Sequence, residues 1–373
     1  QDHHSSMTGA DFVERTTVGY EKLKSYVADM LEKGLGYSRE TAETGAWVLV
    51  EADARGHASH GAARVELYHD LIASGKADPH GQPEIVHETP VSLVVSGNNG
   101  SGFAAAKMAM ERTIEKARQN GTCMTAVRDS GHFGMAGVWA EMAADAGMMG
   151  VALTNTIRAA IPLFGRERLL GTNPICVAIP RGKKPHFMLD MATTTVAMGK
   201  VEVAARRSGT MPEGWFVDEN GKDLCDAVRA LEIGRMGASP YGGILFLGGS
   251  GETLGGHKGY GLGLLVELLT AGISLGAPTF DSYSERCGIC HYFQATRLDL
   301  FGDSSAIQEH VEYILEKLRT GPKAEGHERI YIHGEKEYER RLKSLEEGVY
   351  LDPATWKKLD GYAALFGMPR LEP

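Results

Sequence analysis

The stretch Cys123-Met-Thr-Ala-Val-Arg-Asp-Ser-Gly-His-Phe-Gly-Met-Ala-Gly137 decides how the fold is read. Residues 123–127 are small, apolar or β-branched, and suit a buried strand. Glycines at 131 and 134 break that run, and helical spacing then continues to about Ala146. A strand passing through a Gly turn into a helix is the building unit of a layered α/β protein. The alternation extends both ways. Residues 91–95 form a β-type run closed by Gly97-Asn-Asn-Gly100, and residues 104–119 are helical up to Asn120-Gly121. Residues 150–155, 175–179 and 187–191 are three more predicted strands.

Helices flank this core. Apolar residues recur at helical spacing from Val18 to Leu31, with Gly34 as the expected stop. Ser38 is the expected N-cap of a second helix, with Glu40 at the positive end of its dipole. Helical patterns return over 260–275, 306–318 and 335–368, the last with Pro353 at a helix start. The expectation is a layered α/β core over residues 81–304. Segments 18–80 and 305–373 would build a mostly helical domain, and residues 1–17 would be a disordered or appended start, the part ahead of Met7 not belonging to the fold. Between residues 203 and 256 the periodicity fades, and Gly248-Gly-Ser-Gly251 is expected to be a mobile loop.

Bulk properties exclude several classes. With 373 residues the chain buries a sizeable core, and a net charge of -9 argues against general nucleic-acid binding. No apolar run approaches the roughly 20 residues of a membrane span. Five cysteines without an export signal point to reduced thiols and a cytoplasmic location. The 47 glycines exceed the usual share of about 7% and gather in short motifs, where close backbone approach matters. Cys287-Gly-Ile-Cys290-His291 matches the haem-attachment spacing, but reads better as a chance match at a strand entering the core. His57 and His60 lack a third ligand nearby, so no metal is expected.

Chemistry concentrates in four places. In Arg55-Gly-His-Ala-Ser-His-Gly-Ala-Ala-Arg-Val-Glu-Leu-Tyr68, a helix from about Ser59 would put His60, Arg64 and Tyr68 on one face. That face joins a proton-transfer group, a fork for a carboxylate and a phenolic donor, which suits a small acid. His132 lies between glycines after a strand, where α/β sheets place ligands. Leu189-Asp-Met-Ala-Thr-Thr-Thr195 offers an acid and hydroxyls for ribose or phosphate. Gly255-Gly-His-Lys258-Gly-Tyr-Gly261 offers backbone N–H groups and a lysine to an anion. No Gly-x-Gly-x-x-Gly dinucleotide motif follows a strand.

With these motifs in hand, the chain resembles the malate/L-lactate dehydrogenase family that is unrelated to Rossmann-type dehydrogenases. That family includes sulfolactate, ureidoglycolate and diketogulonate enzymes. The resemblance rests on Asp53-Ala-Arg-Gly-His-Ala-Ser-His-Gly-Ala-Ala-Arg64, Gly131-His-Phe-Gly-Met-Ala-Gly137, Gly171-Thr-Asn-Pro174, Leu189-Asp-Met-Ala-Thr193 and His257-Lys-Gly-Tyr-Gly-Leu262, in the family's order. The sulfolactate and malate branch is the nearest. The resemblance implies a non-Rossmann α/β fold, NAD or NADP as cofactor, an intertwined homodimer, and interconversion of 2-hydroxy and 2-oxo acids.

It further implies that Ser59, Arg64 and Tyr68 contact substrate and that His132 or His60 is the acid/base. Thr156, Asp190, Met191, Ala192, Lys258, Gly334 and Glu335 would hold the cofactor. His333-Gly-Glu335 stands where the family has Pro-Gly-Glu, and Lys222-Asp-Leu-Cys-Asp226 replaces a Pro-Thr-Thr-Asp-Pro stretch. A non-redox, His-dependent lyase on 2-oxo acids is the alternative reading.

Overall fold

The computed structural model describes residues 15–235 and 239–373. In chain order the elements begin with strand β1 (Thr17–Val18), helices α1 (Tyr20–Leu35), α2 (Arg39–Ala54) and α3 (Val65–Ala73), and strands β2 (Glu84–Thr89) and β3 (Ser92–Ser96). Next come α4 (Gly102–Asn120), β4 (Thr122–Ser130), α5 (Ala136–Asp145), β5 (Met148–Thr154), β6 (Ile175–Ile179) and β7 (Phe187–Met191). A smaller group follows: α6 (Met198–Arg207), β8 (Phe216–Val217), α7 (Ala227–Ile233) and β9 (Gly243–Ile244). The chain ends with α8 (Gly256–Glu267), β10 (Ile289–Arg297), α9 (Ser304–Arg319), α10 (Glu335–Glu347), β11 (Val349–Tyr350) and α11 (Pro353–Phe366).

The central sheet runs β2-β3-β4-β10-β5-β6-β7. Only β3 and β4 pair in parallel, joined by α4 as a crossover, and the other neighbours are antiparallel. The alternation in the sequence thus yields one βαβ unit inside a mixed sheet. Its centre is β10, which comes from late in the chain and pairs with both β4 and β5. Helices α4 and α5 cover one face through Phe103, Met110, Val138 and Trp139, all buried. The far face receives α8, whose Val266 packs with Leu153 and Tyr292.

The two ends of the chain meet. β1 pairs with β11, Thr17 opposite Tyr350, and the Tyr26 hydroxyl donates to the Pro369 carbonyl at 2.7 Å. Glu51, 2% exposed, accepts from Arg55, Arg341 and Tyr20, so a buried carboxylate with three donors ties α2 to α10. Residues 1–14 of the expected start lie outside the described residues. Arg15 and Thr17 do not fit that expectation: Arg15 pairs with Asp360, and Thr17 is in the ribbon. Helix α9 meets the helical layer where Arg319 bonds Glu335 at the start of α10. It is held to the β6–β7 connection, where Gly182 N–H donates to Gln308 at 2.9 Å and Arg181 bonds Glu312.

Local signals locate most ends. Ser38 Oγ accepts from Thr41 N–H, and Asp352 caps α11 ahead of Pro353. Helix α1 continues past Gly34 to Gly36, which adopts the left-handed conformation at φ 80°. A Cβ on Gly34 would lie 2.2 Å from the Phe366 ring, so this glycine serves helix packing against α11 and not termination.

The stretch over 203–256, where periodicity fades, shares a small core with the residues just before it. Val196, Val201, Met211, Phe216, Ala227, Ala230, Ile233 and Ile244 pack together. Short elements escape periodicity because α7 has seven residues and β8 and β9 two each. The Gly248–Gly251 loop is closely packed at its Gly248 end. Gly256 N–H donates to the Gly251 carbonyl at 2.9 Å, and a Cβ on Gly248 would meet the Gly255 backbone at 2.2 Å.

Candidate active site

The motif around His60 is not one helix. It forms two 3-10 turns, Ala58–His60 and Ala62–Arg64, separated by extended Gly61, before α3 begins at Val65. Asp53 sets this break. Its carboxylate is almost fully buried and accepts the Ala62 N–H at 2.8 Å, and any Cβ on Gly61 would lie 1.9 Å from Asp53 Oδ1. The turns bring both His60 and Tyr68 to His132. His60 stacks on His132 with centroids 5.9 Å apart and planes 20° apart, and the Tyr68 hydroxyl lies 2.7 Å from His132 Nδ1.

Burial pushes the Asp53 carboxyl up to about 7, with the Ala62 hydrogen bond opposing. The folded-state value exceeds the ordinary one of 3.8, so ionisation of Asp53 opposes folding. The stability held by the protonated carboxyl is complete below about pH 4, is lost as pH rises from there to about 7, and changes no further above it. We expect Asp53→Asn to gain stability relative to the parent over that window, read from urea midpoints at several pH values. A pH-independent difference would refute this assignment.

Ser59, His60, His132, Thr156, Asp190, Met191 and Ala192 line one cavity of about 210 Å³, with His57, Asn155 and Tyr283. An adjoining cavity of about 240 Å³ is lined by Trp47, Arg55, Lys184, Gly334, Glu337 and Arg341 among others. His57, Met135 and Asp190 belong to both walls, so the two form one trough. The trough runs along the ends of β4, β5 and β7 and the start of α5.

Asp190 sits at the junction. One of its oxygens accepts Gly137 N–H at 3.0 Å, at the start of α5. Burial raises its carboxyl, against the charge of His57 and the Gly137 bond. Asn155 is fixed from behind: its Nδ2 donates to Glu267 at 2.9 Å and its Oδ1 accepts Cys290 N–H at 2.8 Å. Glu267 also accepts from Thr279 and Asn173, so one buried carboxylate joins α8, β5 and the loop before β10.

Both histidines are held neutral at pH 7. Burial, with Arg64 and His57 adding, lowers His60 to about 4. Burial, then Arg64, His60 and His291, lowers His132 well below its ordinary value. His132 Nδ1 accepts Gly134 N–H at 3.3 Å, so its proton rests on Nε2.

Not every expected residue reaches the trough. Tyr68 is buried behind His132, and Arg64 bends back so that its Nε donates to the Ser59 carbonyl at 2.5 Å. The terminal nitrogens of Arg64 have no partner among the described residues. Lys258 is exposed at the start of α8 and does not line either cavity. Glu335 bonds Arg319 at 2.9 Å and Arg329 at 2.8 Å, a structural position, whereas Glu337 lines the trough. The sequence reading missed His57, weighed only as a metal ligand, and Tyr283.

His291 is fully buried. Ser130 and Thr154 occupy its two ring nitrogens at 2.8 Å each, and it stacks on Phe133 at 4.4 Å. Neither nitrogen is available to a haem iron. Among the described residues no group of three or more His, Cys, Asp or Glu could hold a metal ion, and no helix is long and apolar enough to cross a membrane.

Residues 18–360 match the family profile described as malate/L-lactate dehydrogenase. The chain is 37% identical to malate dehydrogenase of Pyrococcus abyssi, covering 94% of this chain and 95% of that one. It is 36% identical to L-sulfolactate dehydrogenase of Methanocaldococcus jannaschii, covering 91% and 94%. The solved malate dehydrogenase of Entamoeba histolytica superposes with a TM-score of 0.89 at 32% identity, covering 95% of this chain and 99% of that one. The chain belongs to the malate/L-lactate dehydrogenase family, a family of 2-hydroxy acid dehydrogenases.

Proposed function

We propose that this member of the family moves hydride between NAD and C2 of a small 2-hydroxy or 2-oxo acid, with malate and oxaloacetate as the leading pair. The observation that carries the reading is the continuous trough, with His132 and His60 at one end and Asp190 at its waist. The trough fits a dinucleotide. The second oxygen of Asp190 is placed for ribose hydroxyls, and Gly334, at φ 98°, brings backbone where a Cβ would press on the His186 carbonyl at 3.0 Å.

When bound, the nicotinamide supplies or accepts the hydride, and the chain must bind, orient and move a proton. Thr156, Asp190, Met191, Ala192 and Gly334 would hold the cofactor. Lys258 and Glu335 would act only after a rearrangement of α8 or α10. The fork of Arg64, swung from the Ser59 carbonyl towards the trough, would grip the substrate carboxylate. His132 gives its Nε2 proton to the oxygen on C2 in reduction and recovers it in oxidation, with Ser59 and His60 orienting that oxygen.

The same wall favours NAD over NADP. Arg55 is paired with Glu51 and Glu141, Arg341 with Glu51, and Lys184 with Asp145. A 2′-phosphate would find these cations engaged and Glu337 nearby. Exposed Leu262, Leu265, Leu268, Ile273, Leu275 and Phe280 support a homodimer through this side of the chain. Five free cysteines, four of them buried, fit a reducing, cytoplasmic setting.

Trp47 in the trough wall supplies the test. Titration with NADH should quench tryptophan emission saturably, and NADPH should bind at least about tenfold more weakly, the equivalent of about 1.4 kcal/mol. Binding of neither would remove the dinucleotide reading.

A further inference from the structure

We propose that Tyr68 is the proton donor that resupplies His132, fed from the surface beside Asp78 through a cavity the size of one water molecule. The proposal rests on the reading of His132 as acid/base and names the next group in the chain.

His132 has two faces. Nε2 points to the substrate side, whereas Nδ1 accepts from Gly134 N–H and lies 2.7 Å from the Tyr68 hydroxyl. Since the backbone N–H can only donate, Nδ1 is the unprotonated nitrogen, and the Tyr68 hydroxyl is the donor in that bond. Behind this pair lies a cavity of about 20 Å³ bounded by Tyr37, Tyr68, Asp78, Ser101 and His132. That is room for one water, with the lining hydroxyls as its partners. Asp78 is exposed to solvent at the outer end.

A substrate in the trough shuts His132 off from water on its Nε2 side, so a proton must arrive through Nδ1. The imidazolium is suppressed by burial and by Arg64, with His60 and His291 adding to it. A relay through a neutral ring avoids that charged state. In reduction, the Nε2–H bond breaks as its proton joins the oxygen on C2. The Tyr68 O–H bond breaks as its proton passes to Nδ1, and the cavity water returns one to Tyr68 from solvent at Asp78. One solvent proton is consumed, the hydride coming from the nicotinamide. Once product leaves, Nε2 takes a proton from water in the open trough, Nδ1 gives its proton to Tyr68 as Tyr68 passes its own through the cavity water to solvent, and the starting tautomer is restored. Oxidation runs the transfers in reverse.

Tyr68→Phe isolates the hydroxyl, because it keeps the ring that packs edge-on against Phe103 at 5.1 Å. The test compares kcat, KM and the dependence of kcat on deuterium content for the parent, Tyr68→Phe and His132→Ala enzymes. The parent should show a curved proton inventory from two protons in flight. Tyr68→Phe should show a linear one, with kcat down about tenfold or more and KM unchanged. Nitrogen NMR of Tyr68→Phe should show the Nε2–H tautomer of His132 losing its dominance. Full kcat with an unaltered inventory in Tyr68→Phe would overturn the relay, as would a rise in KM alone, which marks a substrate contact. If His132→Ala keeps full kcat, the acid/base reading itself falls, whatever Tyr68→Phe does.

Discussion

His132→Ala should lower kcat by about 10²–10⁴-fold, the range for loss of a positioned general acid/base, with NADH affinity almost unchanged. The expectation follows from position. His132 is presented by the Gly131–Gly134 turn between β4 and α5, and its tautomer is fixed by Gly134 N–H and Tyr68. Among the described residues His60 has only its neighbour Ser59, at 3.0 Å, as a side-chain hydrogen-bond partner, and it sits on a short turn. Preorganisation therefore favours His132 for the proton and His60 for orientation. Steady-state rates of the two alanine variants decide it, and a larger loss in His60→Ala would exchange the roles.

Arg64→Ala should weaken substrate binding by about 2–5 kcal/mol, so KM rises about 30-fold or more while NADH binding holds. Its charge already reaches His60 and His132, lowering both, and its terminal nitrogens are unclaimed among the described residues. Arg64→Lys should recover only part of the loss, since an ammonium cannot match two carboxylate oxygens at once. KM values for the three forms check this, and an unchanged KM in Arg64→Ala would exclude the carboxylate role.

Much of the fold was legible because most of its elements are long or sharply punctuated. The 3.6-residue pattern of α1, α2 and α4, the caps Ser38 and Gly121, and the strands over 175–179 and 187–191 stand where the residues suggested. What escaped was tertiary. Nothing local shows that β10 pairs between β4 and β5, since the strands it joins lie more than a hundred residues away. Nor does spacing show that Gly34 answers to Phe366 across the fold.

The site was legible as a set of residues and not as a geometry. The i, i+4 argument put His60, Arg64 and Tyr68 on one helix face, but the backbone forms two 3-10 turns held by buried Asp53, and Arg64 and Tyr68 turn to Ser59 and His132. A pattern of side chains cannot report a buried carboxylate that reshapes the backbone. The same limit explains Tyr68, whose phenol turns to His132 and away from the trough, and His57, which gains meaning only beside Asp190.

The central claim is hydride transfer between NAD and C2 of a 2-oxo acid in the trough beside His132. The most direct measurement follows the absorbance of reduced nicotinamide while oxaloacetate, pyruvate or sulfopyruvate is added. Repeating it with NADH deuterated at the transferring position reads the hydride itself. The account predicts NADH oxidation with at least one of these acids, deuterium recovered at C2 of the product, and loss of both signals in His132→Ala. No NADH oxidation with any 2-oxo acid, from enzyme that binds NADH, would contradict it.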